Sequence, residues 1–229
     1  EDIHFTANPA ETIAFIGSTG SGKTTLVNLL PRFFDVTEGA IHFGTVDIRD
    51  VTQEELRQRI GYVPQKGILF SGTIASNLRY ADENLSDEKM EEALSISQAK
   101  EFVDRMPKGV DEPIAQGGTN VSGGQKQRLS IARALAKDAQ VYIFDDTFSA
   151  LDYATDAKLR TALAGLIDKK HATVFIVAQR ISSIMHADKI IVLDQGKMAG
   201  IGTHEELLKD CKVYQEIAHS QLSREELGE

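Results

Sequence analysis

The chain has 229 residues, enough for one domain with a large core or for a core carrying an insertion. Lysines and arginines number 25 against 34 aspartates and glutamates, and the resulting net charge of −9 argues against the basic footprint of a nucleic-acid binder. Cys211 is the single cysteine, which excludes an intrachain disulfide or a cysteine-based metal cluster, and no apolar run approaches the ~18 residues that span a bilayer.

The first strand candidate is the short apolar run Thr12 to Ile16. Directly after it, Gly17-Ser18-Thr19-Gly20-Ser21-Gly22-Lys23-Thr24 fits the pattern G-x-x-x-x-G-K-[ST], and Leu26, Val27, Leu29 and Leu30 then recur at helical spacing. Strand, glycine turn and helix form the context in which backbone N–H groups and a helix N-terminus cradle phosphates. The motif predicts a bound nucleoside triphosphate, with Lys23 reaching its β- and γ-phosphates and the Thr24 hydroxyl ligating Mg²⁺.

Further apolar, β-branched runs at 60–63, 141–144, 173–177 and 189–193 lack clean alternation, as expected of strands buried on both faces of a mainly parallel sheet. Helical segments separate them, so the predicted class is α/β. Residues 71–136 differ, with helix-like stretches Asp87 to Ala99 and Gln125 to Lys137 and no strong strand candidate. The expected division is a nucleotide-binding core of residues 1–70 and 137–222, a helical subdomain of 71–136 and a frayed tail of 223–229.

Within that insertion, Val121-Ser122-Gly123-Gly124-Gln125 sets glycine N–H groups at a helix N-terminus, which reads as a second anion site or, taken alone, as a flexible turn. Val141-Tyr142-Ile143-Phe144-Asp145-Asp146 is an apolar strand ending in two carboxylates. Asp145 fits the acidic residue that holds Mg²⁺ through water in phosphate-loop proteins. Asp152 reads as the N-cap of a helix over about 153–167, Asp194-Gln195-Gly196-Lys197 as a hairpin turn, and Thr203-His204-Glu205-Glu206 as a capping box.

Together these pieces resemble the nucleotide-binding domain of ATP-binding-cassette transporters, whose signature L-S-G-G-Q is matched except that Val121 stands for Leu. The resemblance runs through nearly the whole chain. It implies the P-loop ATPase fold with a helical subdomain, ATP and Mg²⁺ as cofactors, and a dimer as the functional unit. In such a dimer Ser122, Gly123, Gly124 and Gln125 of one subunit cap the ATP held by Gly17 to Gly22, Lys23, Thr24 and Thr25 of the other. Tyr62-Val63-Pro64-Gln65 looks like the family's Q-loop, which implies that Gln65 contacts Mg²⁺ and senses the γ-phosphate. The stretch from Gln65 to Leu78 is similar to exporter-type members and implies contact with transmembrane domains. Ser149-Ala150-Leu151-Asp152 resembles the D-loop at the dimer interface.

Two positions depart from the family. The general base is usually Glu where this chain has Asp146, and the missing methylene draws the carboxylate back by roughly 1 Å, a displacement that can cost about 10²-fold in rate. In Val177-Ala178-Gln179-Arg180, Gln179 replaces a His, and a neutral amide can donate a hydrogen bond but carries no proton. Both departures imply weak hydrolysis at this chain's own site, as in the degenerate half of a heterodimeric exporter at the cytoplasmic face of a membrane, completed by a non-identical partner.

Other readings are weighed on the same residues. A GTPase would carry an N-K-x-D motif, which is absent, and a chromosome-maintenance ATPase would place long coiled coils between phosphate loop and signature. An importer ATPase and a regulatory ATP-binding module without turnover remain open. The 16 residues before Gly17 are fewer than the family usually has, so the upstream aromatic that stacks on adenine is not found, and Phe5 lies too near the loop to replace it. A membrane-spanning part is expected N-terminal to this segment in the parent polypeptide.

Overall fold

The computed structural model describes residues 2–223, and residues 224–229 of the expected frayed tail lie outside the described residues. The strands are β1 (Thr12–Ile16), β2 (His42–Phe43), β3 (Val46–Asp47), β4 (Ile60–Val63), β5 (Gly72–Thr73), β6 (Pro113–Ile114), β7 (Val141–Asp145), β8 (Thr173–Val177), β9 (Lys189–Asp194) and β10 (Lys197–Gly202). The α-helices are α1 (Lys23–Leu29), α2 (Gln53–Gln58), α3 (Ile74–Leu78), α4 (Asp87–Ile96), α5 (Lys100–Asp104), α6 (Gly123–Ala136), α7 (Tyr153–Lys170), α8 (His204–Asp210) and α9 (Lys212–Gln221).

Six strands form the core sheet in the order β10-β9-β1-β8-β7-β4. The five from β9 to β4 are parallel, with Thr12 opposite Val174, Ile13 opposite Lys189 and Ile60 opposite Val141. Strand β10 returns antiparallel to β9 through a turn whose central residues Gln195 and Gly196 both have positive φ, 47° and 80°. That conformation matches the right-handed twist of the flanking strands.

Missing alternation in the strand sequences has a simple cause, because both faces of the sheet are covered. Ala14, Ile16, Phe144 and Ile176 pack with Leu129, Ile131 and Leu159 of α6 and α7, whereas Ile13, Phe15, Ile143 and Phe175 pack with Val27 of α1 and Leu56 of α2. Burial of side chains this size contributes about 1.5–3 kcal/mol each. Phe5 meets Phe15 edge-on with ring centroids 5.8 Å apart, so it is spent on this core.

Some local expectations need correction. The helix expected over Asp87 to Ala99 ends at Ile96, because Gln98 takes a left-handed φ of 60° and Ala99 N–H turns back to the Leu94 carbonyl at 2.8 Å. The insertion also holds a ladder, β5 against β6, too short at two residues each to show a period. Helix α6 starts at Gly123, ahead of Gln125, and α7 runs on to Lys170 before His171 closes it in left-handed backbone.

Strands β1, β8 and β7 lie side by side and end at Ile16, Val177 and Asp145. The loops leaving their carboxyl ends gather at one edge of the sheet, where open α/β folds place their ligands.

Candidate nucleotide site

The phosphate loop is shaped by close packing. A Cβ at Gly17 would stand 2.1 Å from the Leu193 carbonyl oxygen, so the loop leaves β1 with its backbone pressed against β9. Gly22 then caps α1 in left-handed backbone at φ 99°, and no side chain caps the helix. Its first-turn N–H groups are left to face an anion. The β9–β10 turn braces the loop from outside, with Gly196 N–H donating to the Ser21 carbonyl at 3.2 Å.

Lys23 is buried and bends over this ring. Its Nζ donates to the carbonyls of Gly17 at 2.7 Å and Ser18 at 2.8 Å. Burial pushes the ammonium below its usual range, against the pull of Asp146 and Asp145. Ser18, Thr19 and Gly20 form the exposed rim, and Thr25 is exposed one step further along α1.

Thr24 Oγ1 donates to Asp145 Oδ1 at 2.9 Å and so ties the start of α1 to the end of β7. Asp145 is 2% exposed. Burial raises its carboxyl above the usual value, helped by the Asp146 charge and opposed by the Thr24 and Tyr62 hydroxyls and by Lys23. The sequence reading gave Tyr62 no role, yet its hydroxyl lies 3.0 Å from Asn28 Oδ1 on α1 and 3.5 Å from Asp145 Oδ2. Its place one residue inside the end of β4 is the only signal in the sequence.

A hydroxyl and one carboxylate are hard oxygen ligands, the kind Mg²⁺ takes together with substrate phosphates. Among the described residues no group of three or more His, Cys, Asp or Glu side chains forms a metal cage. The donor set therefore fits a metal that arrives with a phosphate ligand.

Asp146 stands in left-handed backbone at φ 46°, with its N–H donating to the Val177 carbonyl at 3.0 Å. Two amides converge on one of its oxygens. Gln65 Nε2 donates to Asp146 Oδ2 at 2.9 Å, and Gln179 Nε2 donates to the same atom at 2.6 Å. The three residues named from sequence as catalytic thus form one cluster, beside the Thr24–Asp145 pair.

Residues 122–125 lie apart from that cluster: among the described residues no hydrogen bond joins them to residues 17–25. Ser122 Oγ accepts from Gln125 N–H at 3.2 Å and Gln125 Oε1 accepts from Ser122 N–H at 2.9 Å, closing a capping box. Ser149 and Ala150 are exposed next to it, with the Ala150 carbonyl 3.9 Å from a Cβ built on Gly124. Leu151 differs from its neighbours, since it is buried in this chain's own core. Asp152 Oδ1 accepts from Thr155 N–H at 3.0 Å and caps α7.

The segment from Gln65 to Leu78 is held by buried amides. Asn77 bonds both backbone groups of Phe70 and the Thr73 carbonyl, and Gln127 Oε1 accepts from Gly67 N–H. Ile68 and Phe70 remain 54% and 42% exposed on this fixed frame.

Comparison with known proteins agrees with the geometry. Residues 1–149 match the family model described as ABC transporter. An uncharacterized ABC transporter ATP-binding protein of Mycobacterium tuberculosis is 49% identical over 224 residues, covering 96% of this chain and 38% of that protein. An ATP-dependent lipid A-core flippase of Syntrophus aciditrophicus is 41% identical over 228 residues, covering 100% of this chain and 38% of the flippase. Among solved structures, a bacterial Atm1-family ABC exporter with ATP bound superposes with a TM-score of 0.91 at 35% identity, over 96% of this chain and 38% of the exporter. The chain thus spans about 38% of the length of the curated relatives it matches. No helix among the described residues is long and apolar enough to cross a membrane. The chain belongs to the ABC transporter family, as an ATP-binding domain of exporter-like type with the P-loop ATPase fold.

Proposed function

We propose that this domain binds MgATP on the loop of residues 17–25, pairs with a second nucleotide-binding domain, and hydrolyses ATP only weakly at its own site while serving substrate export. Its place is the cytoplasmic face of a membrane, within a transporter whose transmembrane domains rest on the segment from Gln65 to Leu78. The exposed Ile68 and Phe70 on their amide-braced frame support that contact. The proposed division is a core of 1–70 and 137–222 with a helical arm of 71–136.

Each residue has a role in this reading. Lys23 and the α1 N-terminus hold the phosphates, while Thr24 and Asp145 hold the metal, with Gln65 beside them. Bound Mg²⁺ supplies positive charge to the β- and γ-phosphates. Asp146 orients and deprotonates the attacking water, and Gln179 donates a neutral hydrogen bond.

The observation that carries weak hydrolysis is the double amide contact on Asp146 Oδ2. Both amides occupy the oxygen that would have to face the attacking water, and this carboxylate is also one methylene shorter than the family's glutamate. The signature supports the paired arrangement. A Cβ on Gly123 would enter open space, so nothing among the described residues requires glycine there. Close approach by a ligand or a partner backbone would require it.

Asp146→Glu combined with Gln179→His tests the reading. ATP turnover is expected to rise by roughly 10–100-fold. Turnover of the unaltered chain at the level of that variant would refute the weak site, and a mixture with a Glu- and His-bearing partner domain should exceed either alone.

A further inference from the structure

Gln221 ends α9, and its side-chain amide does for the segment leaving β8 what a neighbouring strand would do. Its Oε1 accepts from Ile181 N–H at 2.9 Å, and its Nε2 donates to the Gln179 carbonyl at 2.8 Å. The carbonyl of one residue and the N–H two residues on point to the same side of an extended chain, and a parallel strand would pair them with the N–H and C=O of a single residue. Arg180, between them, has the extended backbone this requires, with φ −111° and ψ 130°. The orientation of the amide is dictated, because only its oxygen can take the Ile181 proton and only its nitrogen can give one to Gln179.

Both ends of this clasp are anchored. Tyr214 and Ala218 seat α9 in the core with no exposed surface, and Ile181 is likewise fully buried. From the clasped backbone, Gln179 reaches Asp146 Oδ2 at 2.6 Å. A continuous line of contacts therefore runs from the last turn of α9 through the Gln179 main chain and side chain to the carboxylate at the end of β7.

We infer that Gln221 is a positioning residue for the nucleotide site: it fixes the main chain from which Gln179 reaches Asp146, and so couples the seating of α9 to the γ-phosphate side of the site. The inference rests on the reading of Asp145, Asp146 and Gln179 as part of an ATP site. The clasp itself does not depend on that reading.

Gln221→Ala in the full 229-residue chain separates the two. Hydrogen exchange at the Ile181 amide should accelerate by ~10-fold or more as the local structure opens. MgATP affinity should fall by about 3–10-fold, the loss of one hydrogen-bond-sized contact. Gln221→Glu keeps the acceptor for Ile181 and removes the donor to Gln179, so it should leave Ile181 protected and still weaken MgATP. Acting through Gln179 makes a further demand: added to Gln179→Ala, the Gln221→Ala change should alter affinity by less than about 2-fold. Equal losses in both backgrounds, or unchanged exchange at Ile181, overturn the inference. Lys23→Ala addresses the underlying reading alone, since retained MgATP affinity there would refute the ATP site without touching the exchange result.

Discussion

Two helices of this molecule, α1 and α6, have glycine at their N-termini, Gly22 capping the first and Gly123 and Gly124 opening the second, and they are built in opposite ways. Before α1 the loop is wedged under β9, Gly22 is left-handed, no side chain caps the helix and a buried lysine bends over the turn. Before α6 the chain caps itself through Ser122 and Gln125, and Gly123 and Gly124 sit in ordinary helical backbone with space around them. The first turn is dictated by the interior of the chain. At the second, a Cβ on Gly123 would meet nothing among the described residues and one on Gly124 only the Ala150 carbonyl at 3.9 Å, which leaves room for the partner contact proposed above.

That contrast can be broken by substitution. Gly17→Ala should destabilise the fold by about 3 kcal/mol, since the added carbon would sit 2.1 Å from the Leu193 carbonyl, and Tm should drop by roughly 6–12 °C. Scanning calorimetry that finds Gly17→Ala as stable as the parent would remove the wedge from the explanation. Next in size, Asp146→Glu with Gln179→His should raise ATP turnover by up to about 100-fold, equivalent to about 2.7 kcal/mol in barrier.

Ser122→Ala should cost about 1 kcal/mol through loss of the cap, seen as a Tm drop of roughly 2–4 °C. Titration of MgATP onto the chain's own loop should be unaffected by that change. Gly124→Ala should do the reverse to stability, adding about 0.5 kcal/mol by helix propensity while weakening association with a partner domain. A destabilised Gly124→Ala would show that the second turn is also shaped from within.

The smallest effect tests ground far from both turns. His204 lies 2.6 Å from the Tyr214 hydroxyl, and burial lowers its pKa from the ordinary 6.5, with His186 adding to the shift and Glu205 opposing it. A base whose folded value is depressed binds more protons when unfolded, so its share of stability is complete above about pH 6.5 and declines below it. Denaturant titrations at pH 7.5 and pH 5.5 should show a slope that His204→Gln flattens.

Much of this was legible in local chemistry. Residues 17–24 announce a phosphate loop because the glycines, the lysine and the threonine act within one turn. The capping box at Thr203 and the cap at Asp152 close within three residues, so spacing alone specifies them, whereas the box between Ser122 and Gln125 emerged only in the structure. Continuous apolar runs gave the parallel sheet. Position 98 was not legible, because a left-handed glutamine that divides two helices carries no residue signal. The burial of Leu151 was not legible for a similar reason, since exposure of a four-residue loop depends on what packs beneath it.

By itself, then, the sequence determined that a phosphate loop follows β1, that Asp145 ends β7 with the shorter acid Asp146 directly after it, and that the neutral amide Gln179 follows β8. Only the tertiary structure decided that Gln65 and Gln179, separated from Asp146 by 81 and 33 residues, would place both amides on one oxygen. The same is true of the clasp by which Gln221 reaches Gln179 across 42 residues. Sheet order makes these meetings, by bringing the ends of β4, β7 and β8 together, and sheet order is set by the packing of whole faces against helices rather than by any residue within the site.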